Sequence, residues 1–82
     1  MDSITPRLIL CFQTVFPALP SESIPTATQS SVAAWDSVAA ITLVNVIEDE
    51  FGLQMDLDVL AELDSFERIR EYLSKELATG VA

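Results

Sequence analysis

Eighty-two residues, 50% of them apolar, suffice for one small packed domain, although a chain of this size buries only about 60% of its unfolded surface. Thirteen Asp and Glu against four Lys and Arg leave a net charge of -9, which argues against binding nucleic acid or anionic membranes and favours basic protein partners. With no histidine and a single cysteine, histidine-dependent triads, Cys/His zinc sites and an internal disulfide are excluded, and a cytoplasmic setting is expected.

Residues 4–16 predict the first helix. Ile4, Leu8, Cys11, Phe12 and Val15 recur at three- and four-residue steps and make one apolar stripe. Pro6 suits a first turn, and Pro17 stands where the helix should stop. Cys11 lies on the apolar face and reads as a core thiol. The run Leu8–Phe12 is short and follows Asp2 rather than a basic cluster, so no secretory signal is expected. No run approaches the roughly 20 apolar residues of a membrane span.

Residues 17–35 change character, with Pro17, Pro20 and Pro25 among many Ser and Thr. A loop of this length is functional or disordered more often than not, and Ile24, Val32 and Trp35 are the residues expected to pin it to a core. Residues 37–51 then predict the second helix, with Asp36 as N-cap and Gly52 as stop. Its predicted stripe is Val38, Ile41, Val44, Ile47 and Phe51. Its β-branched residues lower helix propensity, so burial must supply the stability, with Ile47 at the centre of the buried face.

A short third helix over 57–62, after Asp56 or Asp58, would place Leu57, Leu60 and Leu63 with Met55 in the core. The acids at 56, 58, 62 and 64 lack the spacing and glycine of a calcium loop, so they read as solvated and no metal is expected. The last helix is predicted over 65–77, started by a capping-box-like Asp64 and Glu67, striped by Phe66, Ile69, Tyr72 and Leu73, and carrying Lys75 near its end. Gly80-Val81-Ala82 reads as a frayed tail. The expected architecture is all-α: one domain over 1–82, a four-helix bundle with a long first loop and a short third helix.

Three Asp-Ser pairs occur, at 2–3, 36–37 and 64–65, and such a pair is by default a helix cap. Context separates them. Asp2-Ser3 sits at the terminus, and Asp64-Ser65 opens the last helix. Asp36-Ser37 follows the long loop and opens the most regular apolar helix. Trp35-Asp36-Ser37-Val38 resembles the attachment motif of acyl carrier proteins, in which an aliphatic residue follows Asp-Ser. Leu43-Val44-Asn45-Val46-Ile47-Glu48-Asp49-Glu50-Phe51-Gly52 is similar to that family's second helix with its Glu-rich, Phe-Gly ending, and Ser65–Leu73 is similar to its last helix. The resemblance covers roughly residues 35–73.

The resemblance implies that Ser37 accepts 4′-phosphopantetheine from coenzyme A through a phosphodiester, with Asp36 beside it, and that the arm's thiol holds acyl groups as thioesters. It implies a phosphopantetheinyl transferase and acyl-loading and acyl-processing enzymes with basic docking patches as partners, which would meet Val38, Glu48, Asp49 and Glu50. Val44, Ile47, Leu60, Leu63 and Ile69 are the residues that would line an acyl cleft. Ala39 and Thr42 stand where fatty-acid carriers usually have acids, and Asn45 where they often have Met. Together with Trp35 this points to a dedicated secondary-metabolic or envelope pathway. No acid, base and nucleophile stand together, so no catalytic residue is expected and the chain reads as a non-catalytic, monomeric carrier. Two other readings remain open: an aminoacyl or peptidyl carrier loaded by an adenylating enzyme, and an unmodified acidic interaction domain.

Overall fold

The computed structural model describes residues 3–80. Asp2 of the first Asp-Ser pair and Val81-Ala82 of the expected tail lie outside them. The fold is all-α, with α1 over Ile4–Val15, α2 over Ser37–Phe51 and α3 over Phe66–Gly80. Two 3-10 segments join them, Ile24–Thr26 in the long loop and Leu57–Glu62 between α2 and α3. The predicted third helix is therefore a 3-10 helix, and the α-helices among the described residues number three. The difference has a simple origin. Six residues are too few to offset the cost of nucleating an α-helix, and leucines three apart at 57, 60 and 63 match a helix of about 3.0 residues per turn.

The first helix packs against both others, and the 3-10 turn of the long loop packs against α1 and α3. Leu8, Cys11 and Phe12 are the buried face of α1, as its periodicity predicts. Phe12 sits at the centre of an aromatic cluster. Its ring meets Trp35 at 5.3 Å and Phe66 at 5.2 Å, both edge-on, a geometry that favours the ring quadrupoles. Leu43, Ile47 and Leu73 complete the fully buried centre. Met55 and Leu63 are buried as expected, and Leu60 is half-buried.

The predicted stripe of α2 needs correction. Ala40, Leu43, Val44, Ile47 and Phe51 are buried, whereas Val38 is 73% exposed and Ile41 47% exposed. Steps of three residues fall about 60° short of a full turn, so a run of them walks around the helix. Nine residues before Ile47, Val38 has reached the opposite face.

The long loop is ordered by its own turn chemistry. Thr28 and Ser31 exchange hydrogen bonds: the Thr28 N–H donates to Ser31 Oγ at 2.9 Å, and the Ser31 N–H donates to Thr28 Oγ1 at 3.1 Å. An isolated antiparallel bridge joins Thr28 to Ser65. The Gln29 N–H donates to the Asp64 carbonyl at 2.8 Å, and the Phe66 N–H donates to the Ala27 carbonyl at 3.0 Å. Ile24 and Trp35 are buried, and Val32 packs partly buried beside them. The start of α3 also departs from the prediction. Ser65 Oγ, rather than an Asp64 side chain, accepts from the Arg68 N–H at 3.1 Å, while Asp64 pairs with Arg68 at 3.6 Å. The helix continues past the predicted end at Leu77 to Gly80, since no Pro or Gly intervenes to stop it.

Candidate functional site

The site is built at the junction of the long loop and α2. Trp35 is buried at 3% exposure, edge-on to Phe12 and 5.8 Å from the Phe16 ring. Its N–H donates to the Val32 carbonyl and the next N–H, of Asp36, donates to the Ala34 carbonyl, both at 3.0 Å. The indole Nε1 is buried and has no hydrogen-bond partner among the described residues. The rings around it must offset roughly 1–3 kcal/mol for that orphaned donor. Trp35 thus fixes in place the residue that starts the helix.

Asp36 follows in extended conformation, and its Oδ1 accepts from the Ala39 N–H at 2.8 Å. This is the expected N-cap, and it takes one of the orphan donors of the first turn. Ser37 is the first residue of α2 and is exposed. Its hydroxyl makes no hydrogen bond among the described residues. The hydroxyl is therefore presented to solvent, at a helix start whose unpaired N–H groups and dipole favour an added phosphate. Ser37, Gln29, Ala40, Ile41, Leu60 and Ala61 line a shallow open groove of about 330 Å³.

The other predicted residues fall in three places. Val38 stands exposed beside Ser37. Glu48, Asp49 and Glu50 lie at the far end of α2, and two of them are engaged within the fold. Glu48 Oε2 accepts from the Met55 N–H at 2.7 Å, while its carbonyl takes the Gly52 N–H at 2.9 Å, which closes the helix through a left-handed Gly52 (φ 65). Glu50 Oε2 takes Arg7 Nε at 2.9 Å. The same guanidinium donates to the Glu50 carbonyl and lies 4.4 Å over the Phe51 ring. Val44, Ile47, Leu63 and Ile69 are packed in the core, with Leu60 half-buried at the groove.

Sequence reasoning missed Ile41 as a surface residue of the site and Arg7 as the clamp on α2. A strict 3.6-residue period would have found the first, and a contact 43 positions apart leaves no sequence signal for the second. Cys11 is a free, buried thiol. Burial, with Glu50 nearby, pushes its pKa from 9.0 up to about 11. Among the described residues no group of three His, Cys, Asp or Glu could hold a metal, and no helix is long and apolar enough to cross a membrane.

A family model described as a phosphopantetheine attachment site matches residues 7–73, which spans α1 from Arg7 on, the loop, α2, the second 3-10 segment and half of α3. No curated protein and no solved structure matches the chain.

Proposed function

The chain belongs to the phosphopantetheine-attachment family, and on that footing we propose that it is an acyl carrier whose arm is attached to Ser37. Members of this family carry covalent 4′-phosphopantetheine and are modified by a phosphopantetheinyl transferase. The bound arm supplies a thiol that holds the cargo as a thioester. The observation that carries the assignment to Ser37 is its exposed hydroxyl on the first residue of α2, preceded by a capping Asp36 and a buried Trp35.

The chain's own residues do little chemistry. Asp36 holds the first turn closed and Trp35 anchors it, so Ser37 is offered at a fixed point rather than on a moving loop. The Asp36 carboxylate is engaged with the Ala39 N–H, and deprotonation of the Ser37 hydroxyl falls to the transferase. The groove at Ile41, Leu60 and Ala61 gives the arm an apolar wall. Beyond it, Val44, Ile47, Leu63 and Ile69 would form a cleft for an acyl chain, with the short 3-10 helix as the element able to yield. Val38 and Asp49 stand exposed for partner enzymes, and Glu48 and Glu50 add charge at the end of the helix.

Thr42 and Asn45 are exposed and uncharged, and the Thr42 hydroxyl turns back to the Val38 carbonyl at 3.1 Å. This neutral face supports a dedicated biosynthetic pathway over the general fatty-acid one. The domain is read as 1–82, monomeric and cytoplasmic. Mass spectrometry of the protein purified from its source, before and after thioester cleavage by hydroxylamine, tests the cargo. The expected result is a hydroxylamine-labile acyl group on the arm. An amino acid or peptide there would instead make the chain an aminoacyl or peptidyl carrier.

A further inference from the structure

We infer that a short acyl chain carried on the Ser37 arm rests in a groove on the loop side of the serine, between the end of α1 and residues 31–34, and not in the core between α2 and α3. The inference rests on Ser37 as the attachment site and on an acyl cargo. Val15, Phe16, Leu19, Val32, Ala33 and Ala34 line the groove, which holds about 330 Å³, at the small end of ligand pockets. Ser31 brings its one polar side chain, and in a chain of net charge -9 no charged residue lines it. Backbone turns fix both walls. The Leu19 N–H donates to the Phe16 carbonyl at 3.0 Å and curls the chain back after α1. On the other side the Val32 N–H donates to the Thr28 carbonyl and the Trp35 N–H to the Val32 carbonyl, both at 3.0 Å. Phe16 is itself buried, with the Trp35 ring 5.8 Å from its own.

The tether selects the occupant. Ala34 stands three residues before Ser37, so their Cα atoms are at most about 11 Å apart. An extended phosphopantetheine arm is longer than that, which puts the groove within reach of the thioester end. Tethering also sets an effective concentration on the order of millimolar, so an apolar contact too weak to capture a free ligand suffices for the cargo. Each methylene laid against the groove leaves water, and that is the driving force. The core is the harder destination. Val44, Ile47, Leu63 and Ile69 are at most 7% exposed, and a chain enters among them only if the 3-10 helix Leu57–Glu62 gives way. The groove is open as it stands, so a short chain takes the groove first.

Hexanoyl-coenzyme A and a broad-specificity phosphopantetheinyl transferase load the full-length apo protein with a hexanoyl arm, and coenzyme A alone gives the uncharged arm for comparison. Nuclear Overhauser effects from the hexanoyl methylenes are expected at the methyl groups of Leu19, Val32 and Ala34, and not at those of Val44, Leu63 or Ile69. Ala33→Glu places a charge in the groove at an exposed position. It should abolish those effects and speed hydroxylamine cleavage of the thioester by about threefold, the factor lost with a groove occupied two-thirds of the time. Unchanged helical circular dichroism excludes misfolding of the variant. Contacts at the core residues, no contacts at all, or a cleavage rate unmoved by Ala33→Glu overturn the inference. Failure of the underlying reading looks different. No mass increment on loading, or one that survives Ser37→Ala, removes the attachment site, and an amino acid on the arm of the natively purified protein removes the acyl cargo.

Discussion

Ile47 has no exposed surface, and its side chain fills the space where α2 meets the other helices. Ile47→Ala should lower stability by roughly 2–5 kcal/mol, because the cavity left behind adds to the lost transfer energy. A denaturation midpoint within error of wild type would show that α2 is docked by other residues. Cys11 makes a prediction in pH. Its pKa is raised to about 11 in the folded state, chiefly by burial, so between pH 9 and 11 the unfolded chain releases a proton that the folded chain keeps. The unfolded state then binds fewer protons, and stability must fall as pH rises through that window, being fully present below 9. Chemical denaturation from pH 8 to 10.5 should show a steeper loss for wild type than for Cys11→Ala, and equal slopes would mean that the thiol is not held from solvent. At this scale the sequence was informative where one residue type had one job. A capping Asp, a stop Gly and a buried Cys were all legible. Ile41 was not, because an isoleucine on a helix is core by default and only the angular phase of α2 puts it outside.

At the scale of elements, each helix depends on its ends. The first turn of α2 is closed by one carboxylate, Asp36 Oδ1 on the Ala39 N–H. Asp36→Ala should cost about 1 kcal/mol and fray the turn that carries Ser37, seen as faster amide exchange at residues 37–40 with little change deeper in the helix. Protection unchanged at those amides would mean that Trp35 alone holds the start. Helix positions followed from periodicity, since burial on one face leaves a strong imprint on sequence. The 3-10 segments did not. Leu57–Glu62 looked helical because its leucines repeat, and Ile24–Thr26 lay hidden in a stretch whose composition reads as loop. The order of that loop also depends on pairing Ala27–Gln29 with Asp64–Phe66, a contact between segments far apart in the chain that local pattern does not encode.

For the whole molecule, the charge is unevenly used. The carboxylates of Glu48 and Glu50 are engaged by the Met55 N–H and by Arg7, and the helix face of Val38, Ile41, Thr42 and Asn45 carries no charge. Fold and site meet in one arrangement: the aromatic cluster of Phe12, Phe16, Trp35 and Phe66 fixes where the long loop ends, and that point is where Ser37 begins. The helix start at Ser37 was legible in sequence because the capping Asp36 and the anchoring Trp35 are its adjacent residues. Which residues of α2 are buried and which are exposed was less so, because that depends on how three helices are rotated about their axes. The central claim is that Ser37 carries the arm. Intact mass of the apo protein, measured after incubation with coenzyme A and a phosphopantetheinyl transferase, should rise by one phosphopantetheinyl group in wild type and not at all in Ser37→Ala; an increment retained in that variant, or none in the wild-type chain, would contradict it.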